Sequence, residues 1–134
     1  MGTSACVKFC YVFRGDILPL VNVRHHYDGY PKWVGKQLCE WLIPKWLVDG
    51  FSRSDSNICN GIGCMAAMYI RDHKMSTGDF YVVPLDDKGD YNYKVVIEGE
   101  GKANDCITII ASSDEDIIFK GKPSEFLNYI KRKE

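Results

Sequence analysis

Apolar positions near the start of the chain follow the alternation of strands, those soon after follow the spacing of a helix, and the changeover falls at residues 24–31. Residues 5–13 are rich in β-branched and aromatic side chains. Gly15 and Asp16 interrupt them, and residues 17–24 resume an extended run, which predicts a hairpin. Pro19 lacks an N–H, so the second strand is expected at a sheet edge or starting after the proline. Asp28 and Gly29 form a turn signal, and Pro31 opens a helix at the position where a missing N–H costs nothing. Val34, Leu38 and Leu42 then recur at intervals of four with Trp41 beside them, while Lys36 and Glu40 fall elsewhere on the surface. Pro44 predicts a kink, with a second short helical segment running to Val48 and closed by Gly50. A further helix is expected from near Ser54 or Ser56 through Asp72, since Ile58, Ile62, Met65 and Tyr69 keep helical spacing. Gly61 and Gly63 weaken its first half by about 1 kcal/mol each, so its firm part is expected near Cys64.

From Gly78 onward the pattern returns to strands, at residues 80–84, 91–98, 106–111 and 116–120. Polar and glycine-rich turns separate them, as in an antiparallel meander. Tyr91, Tyr93, Val95 and Ile97 alternate with Asn92, Lys94, Val96 and Glu98, the mark of a strand with one buried face. Residues 123–131 close the chain as a short amphipathic helix carrying Phe126, Leu127 and Ile130. The expected fold is α+β: one domain over residues 1–134, an antiparallel sheet of about five or six strands with about two or three helices packed on one face.

The 134 residues suffice for one core, and 46% hydrophobic with 26% charged content is ordinary for a globular chain. A net charge of −1 speaks against an extended nucleic-acid surface, which needs a basic excess. Six cysteines stand at irregular spacing, several within apolar runs, where free thiols behave as small buried hydrophobes. The N-terminus has no basic n-region, carries Lys8 within its apolar stretch, and places Cys6 where a myristoylation signal wants Ser or Thr. No apolar run reaches the roughly eighteen residues of a membrane span. These features point to a reducing, cytoplasmic setting, with no membrane partner.

The run His26-Tyr27-Asp28-Gly29-Tyr30-Pro31, followed by Val34-Gly35-Lys36 and Leu38, resembles the HWDGYP-x-x-VG-K-x-L opening of a group of uncharacterised phage and prophage proteins of similar length. The closing run Ile117-Ile118-Phe119-Lys120-Gly121-Lys122-Pro123-Ser124-Glu125-Phe126-Leu127 is similar to their C-terminal ends. Tyr27 departs from the pattern, which commonly has tryptophan there. The resemblance implies a phage-like origin, residence in the host cytosol and a shared fold, and it carries no reaction with it.

Residue chemistry in the motif supports several roles. Asp28 and Gly29 first serve the turn, the aspartate by bonding nearby backbone and the glycine by supplying a positive φ. Tyr30 and Trp33 can simply cover the helix entry. Alternation along a strand puts Arg24 and His26 on one face and His25 on the other, so one histidine is expected to pack the sheet and the pair is not expected to share a metal. As a binding site, the helix start offers unpaired N–H groups to an anion, Arg24 a bidentate donor, and Lys32 and Lys36 point charges. Tyr27, Tyr30 and Trp33 offer ring faces for a base. Arg24, His26, Tyr27, Asp28, Tyr30, Lys32, Trp33 and Lys36 are therefore the candidate ligand-binding residues. The favoured expectation is a non-enzymatic protein, with no cofactor or metal, that captures a small anionic, nucleotide-derived ligand in a counter-defence role. The competing enzyme is a small hydrolase or phosphodiesterase in which His25 or His26 acts as base and Asp28 orients it. Cys59 and Cys64 lack the second pair that a zinc site needs. Trp33, Trp41 and Trp46 suggest a third possibility, an inhibitor surface for a host protein or for a second copy of the chain in a homo-oligomer.

Overall fold

The computed structural model describes residues 2–50 and 57–133. Strand β1 (Ala5–Phe13) and strand β2 (Asp16–His25) form the expected hairpin. Arg14 and Gly15 between them both adopt positive φ, at 52° and 83°, the two-residue turn whose twist matches that of paired strands. Pro19 sits opposite a bulge at Phe9 and Cys10, on a stretch of β2 whose outer side has no strand partner, which satisfies the edge expectation.

The main sheet has six strands in the order β5-β2-β1-β6-β8-β9. Strand β5 is Phe80–Val82, β6 is Tyr91–Ile97, β8 is Ile107–Ser113 and β9 is Asp116–Gly121. The last three form an antiparallel meander, and the β8–β9 turn again uses two positive-φ residues, Asp114 and Glu115. The fully antiparallel expectation fails at one place, because β6 runs parallel to β1, with Tyr91 beside Ala5 and Ile97 beside Tyr11. Strand β5 adds to the outer edge of β2, so the chain must cross the hairpin before β6 can begin. Asn22 Nδ2 donates to the carbonyls of Pro84 and Asp87, at 2.8 and 3.1 Å, and tethers that crossing. Gly89 passes so close to the hairpin that a Cβ there would stand 2.9 Å from Ala5 Cα. Residues 86–89 look like a hairpin turn in sequence and act as an overpass in space.

One face of the sheet carries the helices. The segment Pro31–Gly35 winds as a π-turn and continues into α1 (Lys36–Leu42). Helix α2 is Gly61–His73, and α4 is Pro123–Lys133. Leu38, Leu42, Met65, Tyr69, Phe126 and Ile130 from these helices bury against Val7, Phe9, Tyr93, Val95 and Ile109 of the sheet in one contiguous core. The expected start of α2 near Ser54 or Ser56 lies outside the described residues.

Residues 46–48 correct a second expectation. They form strand β3 (Trp46–Val48), not a helical segment, with Leu47 buried and Trp46 exposed in strand alternation. Pro44 does stop the helix, and the aromatic and branched side chains after it favour extension. Strand β3 pairs with β4 (Ile58–Asn60) and with β7 (Gly101–Lys102) in a small second sheet, and β7 leads into the single turn α3 (Ala103–Cys106). The strand count therefore exceeds that expected from sequence. All six cysteines are free thiols. No helix among the described residues is long and apolar enough to cross a membrane.

Candidate functional site

The changeover from β2 to α1 opens onto a cleft of about 800 Å³, walled by residues 25–40 on one side and by the end of α2 and the approach to β5 on the other. Tyr27, Asp28, Lys32, Trp33 and Lys36 all line it. These are five of the eight residues singled out in the sequence.

The other three go elsewhere. Arg24 lies across the strand from His25, and its guanidinium donates to Ser4 Oγ at 3.2 Å and to the Lys88 carbonyl at 3.1 Å. It clamps the overpass to the hairpin. The His26 ring meets Tyr27 and Tyr81 edge-on, and its backbone N–H donates to the Asp79 carbonyl. Tyr30 tilts over Tyr91 and faces a neighbouring cleft.

The turn is built differently from the sequence expectation. Asp28, not Gly29, takes the positive φ, at 60°, a conformation aspartate tolerates. Gly29 is needed for close approach, because a Cβ there would collide with the Ser4 carbonyl. Its own N–H donates to the Thr3 carbonyl, and its carbonyl accepts from the buried Tyr93 hydroxyl at 2.7 Å. Three N–H groups at the helix start are bonded within the turn itself. Trp33 and Gly35 donate to the Tyr30 carbonyl at 2.9 and 3.5 Å, and Val34 donates to the Asp28 carbonyl at 3.1 Å. The turn occupies these three donors, and Lys32 and Lys36 bring cationic side chains to the same cleft.

The inner wall is a cluster of rings. His25 Nε2 and the Tyr69 hydroxyl are 2.7 Å apart, and the imidazole stands edge-on to Phe80. Burial drives the His25 pKa down to about 4, helped by the neighbouring His73, and pushes the Tyr69 phenol well above its ordinary range. Both groups are neutral at physiological pH. His73, on the last turn of α2, stacks on Tyr69 with ring centroids 3.9 Å apart. Its Nδ1 lies 2.7 Å from the Tyr69 carbonyl, which only accepts, so Nδ1 carries the proton and Nε2 the lone pair. Burial holds His73 below its ordinary pKa, outweighing the opposing pull of that carbonyl.

His73, Gln37, Glu40 and Asp79 also line the cleft and escaped the sequence argument. His73 was legible as the residue one helical turn after Tyr69, four positions on, whereas Asp79 is brought in only by β5 joining β2. The lining is therefore of mixed sign, combining Lys32 and Lys36 with Asp28, Glu40 and Asp79.

No protein-family model, curated protein or solved structure matches this chain. Its chemistry is read from the cleft itself. Among the described residues, no three His, Cys, Asp or Glu side chains gather to hold a metal ion. The thiols of Cys59 and Cys64 instead approach the Met68 sulfur, at 3.6 and 3.7 Å. His25 pairs with Tyr69, and the His26 ring meets Tyr27 and Tyr81; neither imidazole is hydrogen-bonded to Asp28 in the way the hydrolase alternative expects. The tryptophans do not gather into one surface. Trp33 lines the cleft, Trp41 packs edge-on against Tyr69 while donating to Asp72, and Trp46 belongs to the small sheet.

Proposed function

We propose that this protein captures a small anionic, nucleotide-derived ligand in the His25–His73 cleft and holds it without turnover. The observation that carries the reading is the convergence of Lys32, Lys36, Tyr27 and Trp33 on a single cleft of about 800 Å³, a size suited to a small molecule. The lysines supply point charges for a phosphate, and the exposed rings supply faces for a base. Asp28, Glu40 and Asp79 suit the exocyclic amino groups and sugar hydroxyls that a bare inorganic anion lacks. Two neutral imidazoles add hydrogen bonding without adding charge.

Capture is favoured over hydrolysis because a general base has to be oriented by a partner, and neither His25 nor His26 is hydrogen-bonded to Asp28. His73 Nε2, on an imidazole oriented by the Tyr69 carbonyl, is the candidate base of the competing reading. Sequestration of a nucleotide signal is compatible with a counter-defence role for a phage-like protein. The test is to incubate the purified protein with a panel of linear and cyclic nucleotides, remove unbound material, denature by heat and chromatograph what is released. Intact nucleotide supports capture. Altered product replaces it with a hydrolase working through His73, and empty eluate refutes nucleotide binding.

A further inference from the structure

A second cleft of about 760 Å³ adjoins the first, between the π-turn, the start of β6, β9 and α4. Lys32 and Trp33 line both clefts. The Trp33 indole, 56% exposed, forms the divide between them, and Lys32 Nζ hangs 5.8 Å from its ring centroid. Beyond the divide the chemistry changes. Tyr30 and Tyr91 tilt together at 5.6 Å, and Lys133 lies over the Tyr129 ring at 5.6 Å. No carboxylate lines this second cleft among the described residues, in contrast to the first. It is ring-rich and cationic, the combination that takes a stacked base with its phosphate.

Resting on the proposed reading of the first cleft, we infer that the captured molecule is a dinucleotide, with one base on each side of Trp33 and its phosphate linkage at Lys32. Either cleft alone has the volume of one mononucleotide-sized guest, and together they make a two-part site. The mixed charge of the first half suits a base and sugar with donor groups, and the uniformly basic second half suits a phosphorylated end. A ligand occupying both halves gains from linkage, because its second contact becomes intramolecular.

The test is calorimetric titration of the full chain with adenosine and guanosine monophosphates, with the linear dinucleotides pApA and pGpG, and with the corresponding cyclic dinucleotides. At least one dinucleotide is expected to bind about a hundredfold or more tighter than its mononucleotide. Tyr30→Ala combined with Lys133→Ala is expected to weaken the dinucleotide at least about tenfold more than the mononucleotide. Both side chains are exposed, and circular dichroism of the variant checks that the fold is kept. Mononucleotide binding with no dinucleotide advantage, or equal weakening of both by the double variant, overturns the two-part site and leaves single-nucleotide capture standing. Absence of binding by every probe overturns both.

Discussion

His73 stacks on the ring of Tyr69 while donating from Nδ1 to the carbonyl of that same residue at 2.7 Å. One residue thus fixes both the plane and the tautomer of the imidazole. The Tyr69 hydroxyl meets His25 at its far end, so a single buried side chain organises the whole inner wall of the cleft.

Stability should fall in mild acid for this reason. His25 has its folded-state pKa lowered from 6.5 to about 4, so between those values the unfolded chain binds the extra proton. The stabilisation is fully present above pH 6.5 and is lost as pH falls through about 4. Its size is on the order of 2 kcal/mol, allowing for partial solvent access to the ring. Urea unfolding at pH 4.5 and 7.5 should show the loss, and His25→Gln should reduce it to the smaller share from His73.

The overpass gives a steric prediction. Gly89→Ala places a Cβ 2.9 Å from Ala5 Cα and 3.0 Å from the Cys6 nitrogen, both backbone atoms that cannot move independently of β1. The expected destabilisation is about 1–3 kcal/mol. Gly15→Ala, where the space is open and only the φ of 83° is unfavourable, should cost about 1 kcal/mol. Parallel urea titrations of the two variants check the order.

Tyr93→Phe tests what holds the turn. The phenol is buried and donates to the Gly29 carbonyl at 2.7 Å, so its removal leaves a buried acceptor without that partner. The expected cost is about 1–3 kcal/mol. Amide hydrogen exchange should show faster opening around residues 28–30 than in β8.

Thiol reactivity should follow burial. Burial pushes the Cys39 thiol up to about 12 and those of Cys10 and Cys59 to about 11, while Cys64 and Cys106 are more accessible. An aromatic disulfide reagent should label Cys64 and Cys106 in the folded protein. Cys6, Cys10, Cys39 and Cys59 should react only on unfolding.

Local elements were largely legible in the sequence, because alternation and helical spacing are properties of neighbours. The hairpin, the helix opened by Pro31, the meander and the closing helix all follow from such patterns. The parallel β1–β6 pair was not legible, since residues 86–89 have the composition of a tight turn and their tethering to Asn22 and Arg24 depends on contacts distant in sequence. The site divides in the same way. Lys32, Trp33 and Lys36 follow from one local segment, whereas the diversion of Arg24 to Ser4 and Lys88 and the arrival of His73 and Asp79 require the assembled sheet. Trp46 misled because a proline kink and a proline stop look alike until the next residues find strand partners.

Titration of the folded protein with a nucleotide recovered from the capture panel, alongside Lys32→Ala/Lys36→Ala and Trp33→Ala variants, tests ligand capture at the cleft most directly. The expected result is saturable binding that weakens with salt and falls at least about tenfold in the double lysine variant, with a further loss when Trp33 is removed. Binding that ignores all three substitutions, or no retained nucleotide in the first place, would contradict it.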